Sequence, residues 1–136
     1  MKFLGEIYKK GNTNSVDTHS APTVGIEPGL PVEITEGEVK AVNTGVVAGI
    51  SGRTTNATID VVRSGLEVAV QVVDAITIKD GEAVYIDATT KKFTNVSDSN
   101  TAVNAVFRSE AETMGIVQKA GVIERRGALI DFVGGL

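Results

Sequence analysis

The stretch that decides the fold runs from Gly65 to Thr94 and reads GLEVAVQVVDAITIKDGEAVYIDATTKKFT. Apolar residues alternate with mostly polar ones, as at Leu66, Val68, Val70 and Val72, and alternate side chains of an extended strand share one face. The alternation repeats over 75–79 and 82–87, with Asp80-Gly81 between these runs. Asp-Gly suits a tight turn that needs positive φ. The stretch therefore predicts short antiparallel strands joined by turns, and it contains no obvious catalytic residue.

The rest of the chain extends this pattern in both directions. A strand–turn–strand pair is predicted from Thr58 to Val73, and turns are predicted at Glu36-Gly37 and Ala120-Gly121. Further strands are predicted over 31–35, 39–42, 46–50, 102–107, 114–119, 122–126 and 128–133, with polar loops over 18–22, 51–56 and 97–101. Ser109 with Glu112 fits the cap of one helical turn over 109–113. The predicted fold class is all-β, an antiparallel β-sandwich or β-barrel of short strands.

Composition limits the function classes. The length of 136 residues suggests one domain, and the many Val, Ile and Thr residues beside only five Leu favour sheet over helix. The absence of cysteine excludes disulfides and thiolate metal sites. A net charge of −4 disfavours nucleic-acid binding, and no apolar run is long enough to span a membrane. The N-terminal residues meet Glu6 too early for a signal peptide.

The first 22 residues differ from the rest, so residues 1–22 are predicted as an extended N-terminal arm and residues 23–136 as a single β domain. The segment is rich in turn formers, yet it carries large apolar side chains, including Phe3, Leu4, Ile7 and Tyr8. One interpretation is an ordinary edge strand or a frayed terminus. The other is an arm that docks on a partner, because apolar groups of a polar tail otherwise remain in water. The second interpretation predicts that deletion of the arm leaves the domain folded but weakens its association with other subunits or with a partner. The candidate contacts with a neighbouring subunit or another partner are Phe3, Leu4, Ile7 and Tyr8.

A faint internal repeat relates Ile26–Ile34 to Ile78–Ile86. Ile, Gly, Val and Ile recur at a constant offset of 52 residues. The similarity arises either because few residue types serve turns, or because two similar β units face each other in a sandwich or barrel.

No combination of residues predicts catalysis, a cofactor or a metal. The single histidine, His19, lies in a predicted loop without a positioned partner or a second histidine. Asp98 and Asn100 offer oxygen ligands for calcium, but the Gly and the distal Glu of an EF-hand are missing. Five carboxylates offer pairs of the kind that a glycosidase uses, and four arginines offer a small basic patch, but both sets are more simply solvated surface groups. These are Asp60, Glu67, Asp74, Asp80 and Asp87, and Arg63, Arg108, Arg125 and Arg126.

The run DAITIKDGEAVYIDA over 74–88, with Phe93-Thr94, Met114–Val117 and Ala128–Val133, resembles a family of tailed-phage proteins. These are capsid decoration (cement) proteins and the capsid-binding domains of head fibers, and the resemblance covers about residues 24–133. It implies a non-enzymatic virion protein that is made in the host cytoplasm, binds the major capsid protein on the outer capsid surface, often as a homotrimer, and stabilises the head. No catalytic residue, cofactor, nucleic acid or membrane is implied.

Two other functions remain open from the residues. A carbohydrate- or surface-binding β module is the first alternative, although Trp is absent and Tyr85 alone gives thin support for a sugar platform. A small β-barrel enzyme that uses clustered carboxylates is the second.

Overall fold

The structure is a computed structural model that describes residues 1–9, 15–43 and 46–133. These residues form two antiparallel sheets packed together as a β-sandwich, which confirms the predicted fold class, and they contain no helix and hence none that could cross a membrane. The strands are β1 (Ile7–Lys9), β2 (Ser15–Ser20), β3 (Pro31–Thr35), β4 (Glu38–Ala41), β5 (Gly49–Thr54), β6 (Thr58–Ser64), β7 (Leu66–Gln71), β8 (Ala83–Ile86), β9 (Phe93–Thr94), β10 (Thr101–Phe107), β11 (Glu112–Gln118) and β12 (Gly121–Phe132).

The larger sheet has the order β1-β7-β12-β10-β8-β9, and β11 also pairs with β12. The smaller sheet has the order β2-β6-β5-β3-β4. Because β12 is twelve residues long, its second half pairs with β7 and β10 inside the larger sheet. Its first half forms a hairpin with β11.

The main core lies between the two sheets. Val68, Val70 and Val72 of the larger sheet point inward by alternation, and Ile50 and Val62 meet them from the smaller sheet. Alternation in the predicted strands predicts ten buried apolar residues, of which nine are buried and Ile34 is half-buried. The ten are Val32, Ile34, Val68, Val70, Val72, Ile78, Val84, Ile86, Ile116 and Ile130.

A second apolar cluster covers the opposite face of the larger sheet. Ala69 of β7 and Leu129 of β12 point to this face, where Leu4, Met114 and Ile116 bury them. This cluster ties the N-terminal residues and β11 to the sandwich.

Of the two predicted hairpin turns, the one between β11 and β12 lies one residue earlier than predicted, at Lys119-Ala120, because Gln118 pairs with Gly121. The turn at Glu36-Gly37 is present as predicted, and these two residues join β3 to β4 with φ angles of 54° and 77°. Positive φ at both central residues is typical of the turn that matches strand twist.

Residues 76–79 do not form the predicted strand, although Ile78 is buried. Hydrogen bonds from side chains hold this segment in place, and it does not pair with a neighbouring strand. The Arg126 guanidinium donates to the carbonyls of Val73 and Ile76, and the Asn95 amide donates to the carbonyl of Thr77. Hydrophobic alternation indicates which side chains are buried, but it does not indicate whether the segment pairs with another strand.

Three other expectations about local structure were wrong. The strands of the predicted 58–73 pair, β6 and β7, lie in different sheets, because the chain crosses the sandwich at Ser64-Gly65. Ser109 caps no helix, since its hydroxyl accepts a hydrogen bond from the Leu129 amide. The predicted loops over 18–22 and 51–56 are in part strand, because pairing with β6 extends β2 to Ser20 and β5 to Thr54.

The internal repeat coincides with a structural one. Gly29 and Gly81, 52 residues apart, have φ angles of 83° and 90°. Strands β3 and β8 begin at the same offset, one in each sheet.

The described part of the predicted arm, residues 1–9 and 15–22, is hydrogen-bonded into both sheets and does not extend away from them. Strand β1 pairs with β7 in the larger sheet, and β2 pairs with β6 in the smaller one. No break in main-chain pairing therefore separates residues 1–22 from the domain within the described residues.

Candidate interaction surface

The N-terminal residues lie along the outer edge of the β11–β12 hairpin. The Gly115 amide donates to the Lys2 carbonyl at 2.9 Å, and the Leu4 amide donates to the Gly115 carbonyl at 3.0 Å. This is a short parallel bridge between Phe3 and Gly115. Since side chains alternate, Leu4 points into the second cluster, while Phe3 lies on the opposite face of the hairpin.

The four predicted contact residues fall into different environments. Leu4 is 4% exposed and Ile7 packs against the main core, so both serve internal packing. Tyr8 is 42% exposed, and its hydroxyl accepts a hydrogen bond from the Phe3 amide at 2.6 Å. Phe3 is half-buried at the surface. A direct role of these residues in partner binding stays a prediction, and Phe3 and Tyr8 are the two with accessible rings.

An exposed apolar patch surrounds Gly115. Val117 and Val122 face each other across the hairpin and are 72% and 51% exposed, and Met1 is 70% exposed. The Met1 sulfur, the Phe3 ring and the Val122 methyl group converge on the position that a side chain at Gly115 would occupy. We call Met1, Phe3, Val117 and Val122 the apolar patch. A contiguous exposed group of this kind is typical of an interaction site.

Substitution of Gly115 tests how this patch is built. A Cβ there would lie 2.8 Å from Met1 Sδ and 3.0 Å from both Phe3 Cε1 and Val122 Cγ1. We expect Gly115→Ala to displace the N-terminal residues and to lower the free energy of unfolding by about 1–3 kcal/mol. Urea unfolding measures the loss. Gly25→Ala, with no atom within 4 Å of the added Cβ, is the control, and equal stability of the two variants would contradict the packing.

A groove adjoins the patch, between the β11–β12 turn and the β5–β6 turn. It has a volume of about 820 Å³, and its lining includes Leu4, Ile26, Ile116 and Ile123. Its polar margin includes Glu6, Glu27, Arg53 and Lys119. We call this feature the groove.

The charge of Glu27 is neutralised within the protein. Arg125 donates to both carboxylate oxygens, at 2.8 and 3.3 Å, and the buried Gln71 amide donates to one of them at 3.0 Å. Burial alone would raise the pKa of Glu27, but these hydrogen bonds outweigh it and hold the pKa below its ordinary value. The pairing therefore stabilises the fold above the ordinary pKa, and its contribution is lost as the pH falls through the lowered value.

The other charges on the groove remain available. Arg53 and Lys119 are exposed, and among the described residues neither forms a salt bridge. Glu6 is also exposed and, among the described residues, forms no salt bridge. The groove thus offers two unpaired cations and one unpaired carboxylate beside its apolar lining.

Several of the polar residues singled out in the sequence lie in separate local contacts. His19 lies half-buried in β2 opposite Ile59, and not in a loop. Asp60 accepts from the Thr18 hydroxyl, and Asp87 accepts from the amides of Thr89 and Thr90. Within the described ranges, no group of three or more His, Cys, Asp or Glu side chains is placed to hold a metal ion.

The four arginines proposed as a possible basic patch each have a separate partner. Arg63 pairs with Asp17, Arg108 with Asp80 and Asp131, and Arg125 with Glu27, while Arg126 binds the carbonyls of the segment before Ile78. For Arg108, the hydrogen bond with Asp131 raises the pKa further above its already high value.

Sequence reasoning missed Val117, Val122 and the groove. The predicted turn at Ala120-Gly121 is one residue later than the observed turn at Lys119-Ala120, which places Val117 opposite Val122. Alternation showed that these residues share a face, but only the tertiary structure shows that the face is uncovered.

The comparisons with known proteins agree with the fold. No protein-family model matches the chain, and no curated protein matches it. A chain in the solved structure of "The capsid of Myoviridae Phage XM1" superposes with a TM-score of 0.69 at 19% identity, over 98% of this chain and 91% of that chain. The two chains therefore share one fold over nearly their whole lengths.

Proposed function

We propose that this protein is a structural component of a phage virion, which binds the outer surface of the capsid and stabilises or decorates the head. The observation that carries the proposal is the shared fold with a chain of a phage capsid structure over 98% of this chain. The exposed apolar patch adds a physical reason, because such a surface is stable when a partner covers it. The role is non-enzymatic and needs no cofactor.

The partner in this proposal is the major capsid protein, and the protein associates with itself as a homotrimer on the capsid. It is made in the host cytoplasm and resides in the virion. The apolar patch is the surface that we assign to capsid contact, since Val117 and Val122 project from a hairpin whose other face is anchored by Met114 and Leu4. Each buried valine contributes about 1.5–3 kcal/mol before ordering entropy is subtracted.

Co-sedimentation with phage heads tests the proposal. Purified protein is mixed with heads of the phage that encodes it, lacking this protein, and the bound fraction is measured across concentrations. We expect saturable binding that the double variant Val117→Asp/Val122→Asp weakens at least tenfold, since a tenfold change corresponds to about 1.4 kcal/mol. The matched control is Val24→Asp/Val46→Asp, which alters valines that are 77% and 89% exposed and do not belong to the apolar patch. Failure of the unmodified protein to bind heads would contradict the proposal.

Light scattering of the free protein and of protein released from heads tests the oligomer. A mass three times that of the 14.2 kDa chain in either sample supports the trimer. A monomer in both samples contradicts a trimer that is stable off the capsid. Binding to a glycan array with no affinity for heads would favour the carbohydrate-binding alternative.

A further inference from the structure

We propose that the groove binds an extended segment of another polypeptide, which adds a strand to the free edge of β11 and carries carboxylates next to an apolar side chain. The proposal does not depend on the capsid role, because its test uses no capsid.

The strand edge carries the first part of the argument. Gln118 and Gly121 close the two-residue turn, and hydrogen-bonded and non-hydrogen-bonded pairs alternate from there along an antiparallel ladder. The main-chain groups of Val117 and Gly115 therefore point away from β12. Gly115 shows this directly, since its amide and carbonyl bind Lys2 and Leu4.

The N-terminal residues fill only part of this edge. After Leu4 the chain turns away at Gly5, where φ is 82° and the amide donates to the Ala69 carbonyl at 2.8 Å. In the part of the chain that the structure describes, no main-chain group pairs with Val117 on its outward side. Val117 and Gln118 line the groove, so its wall offers a main-chain donor and acceptor that a polypeptide satisfies by strand addition.

The groove also selects the side chains of its occupant. Ile26 and Ile123 are half-buried on its surface and provide an apolar contact for one aliphatic or aromatic side chain. Arg53 lies near the end of β5 and Lys119 lies in the β11–β12 turn, on different walls of the groove, and neither is neutralised by a salt bridge among the described residues. Among the described residues that line the groove, Glu6 is the one opposing charge without a salt bridge, since Glu27 is neutralised by Arg125. Charge complementarity therefore favours an acidic segment over a basic one.

The experiment compares two peptides of equal length by amide chemical-shift mapping of the labelled full chain at low salt. The probes are acetyl-Asp-Val-Leu-Val-Asp-amide and acetyl-Lys-Val-Leu-Val-Lys-amide. We expect the acidic peptide to bind about tenfold more tightly, with shifts concentrated at Val117, Gln118 and the two turns. Arg53→Glu/Lys119→Glu should reverse the preference. The control Lys40→Glu/Lys79→Glu makes the same charge change at exposed lysines outside the groove and should preserve it.

Three results would overturn the proposal. They are the absence of localised shifts with the acidic peptide on the unmodified protein, equal binding of the two peptides, or a reversal of preference by the control pair. If the chemical shifts of groove residues change with protein concentration, and the peptide does not bind under those conditions, the groove would be assigned to a second copy of this chain. Even if the charge-reversed variant is unstable, the amide chemical shifts of the unmodified protein show whether the peptide binds to the groove.

Discussion

Deletion of residues 1–22 is expected to abolish the cooperative thermal unfolding transition. The deletion removes β1 from the larger sheet and β2 from the smaller one, so one edge of each sheet is lost together. It also removes Leu4, which is 4% exposed, from its contacts with Ala69, Met114 and Leu129. The apolar contribution of Leu4 alone is about 1.5–3 kcal/mol. A small domain has only about 5–15 kcal/mol of stability, so the combined loss exceeds what the remainder can tolerate.

Circular dichroism during heating measures this result. Leu4→Ala isolates the contribution of the Leu4 side chain and should lower the free energy of unfolding by about 2–5 kcal/mol. The control Lys9→Ala, at an exposed position in the same segment, should change that free energy by less than about 0.5 kcal/mol. The sequence pattern alone suggested the opposite outcome, a domain that stays folded without the segment. A truncated protein that melts cooperatively near the temperature of the full chain would show that the pairing of β1 and β2 contributes little.

Phe107→Ala should be the most destabilising single substitution in the core, with a loss of about 3–5 kcal/mol. Phe107 ends β10 and is fully buried in the main core with Phe93 and Ile130. Its amide donates to the Glu82 carbonyl at 2.9 Å, and its carbonyl accepts from the Gly81 amide at 2.7 Å, so its backbone is fixed by the turn before β8. The cavity left by the ring therefore cannot close by a shift of β10.

Urea unfolding of Phe107→Ala and Phe107→Leu checks this prediction. Leucine fills much of the volume of the phenyl ring, so Phe107→Leu should lower the free energy of unfolding clearly less than Phe107→Ala does. Val24→Ala, at a position that is 77% exposed, serves as the surface control and should be near neutral. A loss below about 1 kcal/mol for Phe107→Ala would mean that the two sheets repack around the site.

Much of the core was predictable from alternation. Val68, Val70 and Val72 share a face in any extended chain, and that face is buried between the sheets. The Asp80-Gly81 and Glu36-Gly37 turns were also predictable, because few residues adopt positive φ without strain. Ile78 shows the limit, since it is buried as predicted although Arg126, and not a partner strand, binds its segment.

The candidate surface was only partly predictable. The composition of residues 1–22 drew attention to Phe3 and Tyr8, which lie at the surface beside the apolar patch. Leu4 and Ile7 come from the same short segment but are internal, because the register of this segment against Gly115 and Val68 turns them inward. The groove requires the β5–β6 and β11–β12 turns to be neighbours, although more than 60 residues separate Arg53 from Lys119.

The sequence by itself determined the all-β class, the identity of most core residues and the positions of the turns at Glu36-Gly37 and Asp80-Gly81. Each of these depends on local properties, namely the two-residue period of a strand and the φ angles that Gly and Asp tolerate. Only the tertiary structure decided which strands pair, that β6 and β7 belong to different sheets, and that the first residues complete both sheets. It also decided that Val117 and Val122 remain uncovered, because burial depends on which distant segment comes to lie against a face, and alternation along the chain carries no information about that segment.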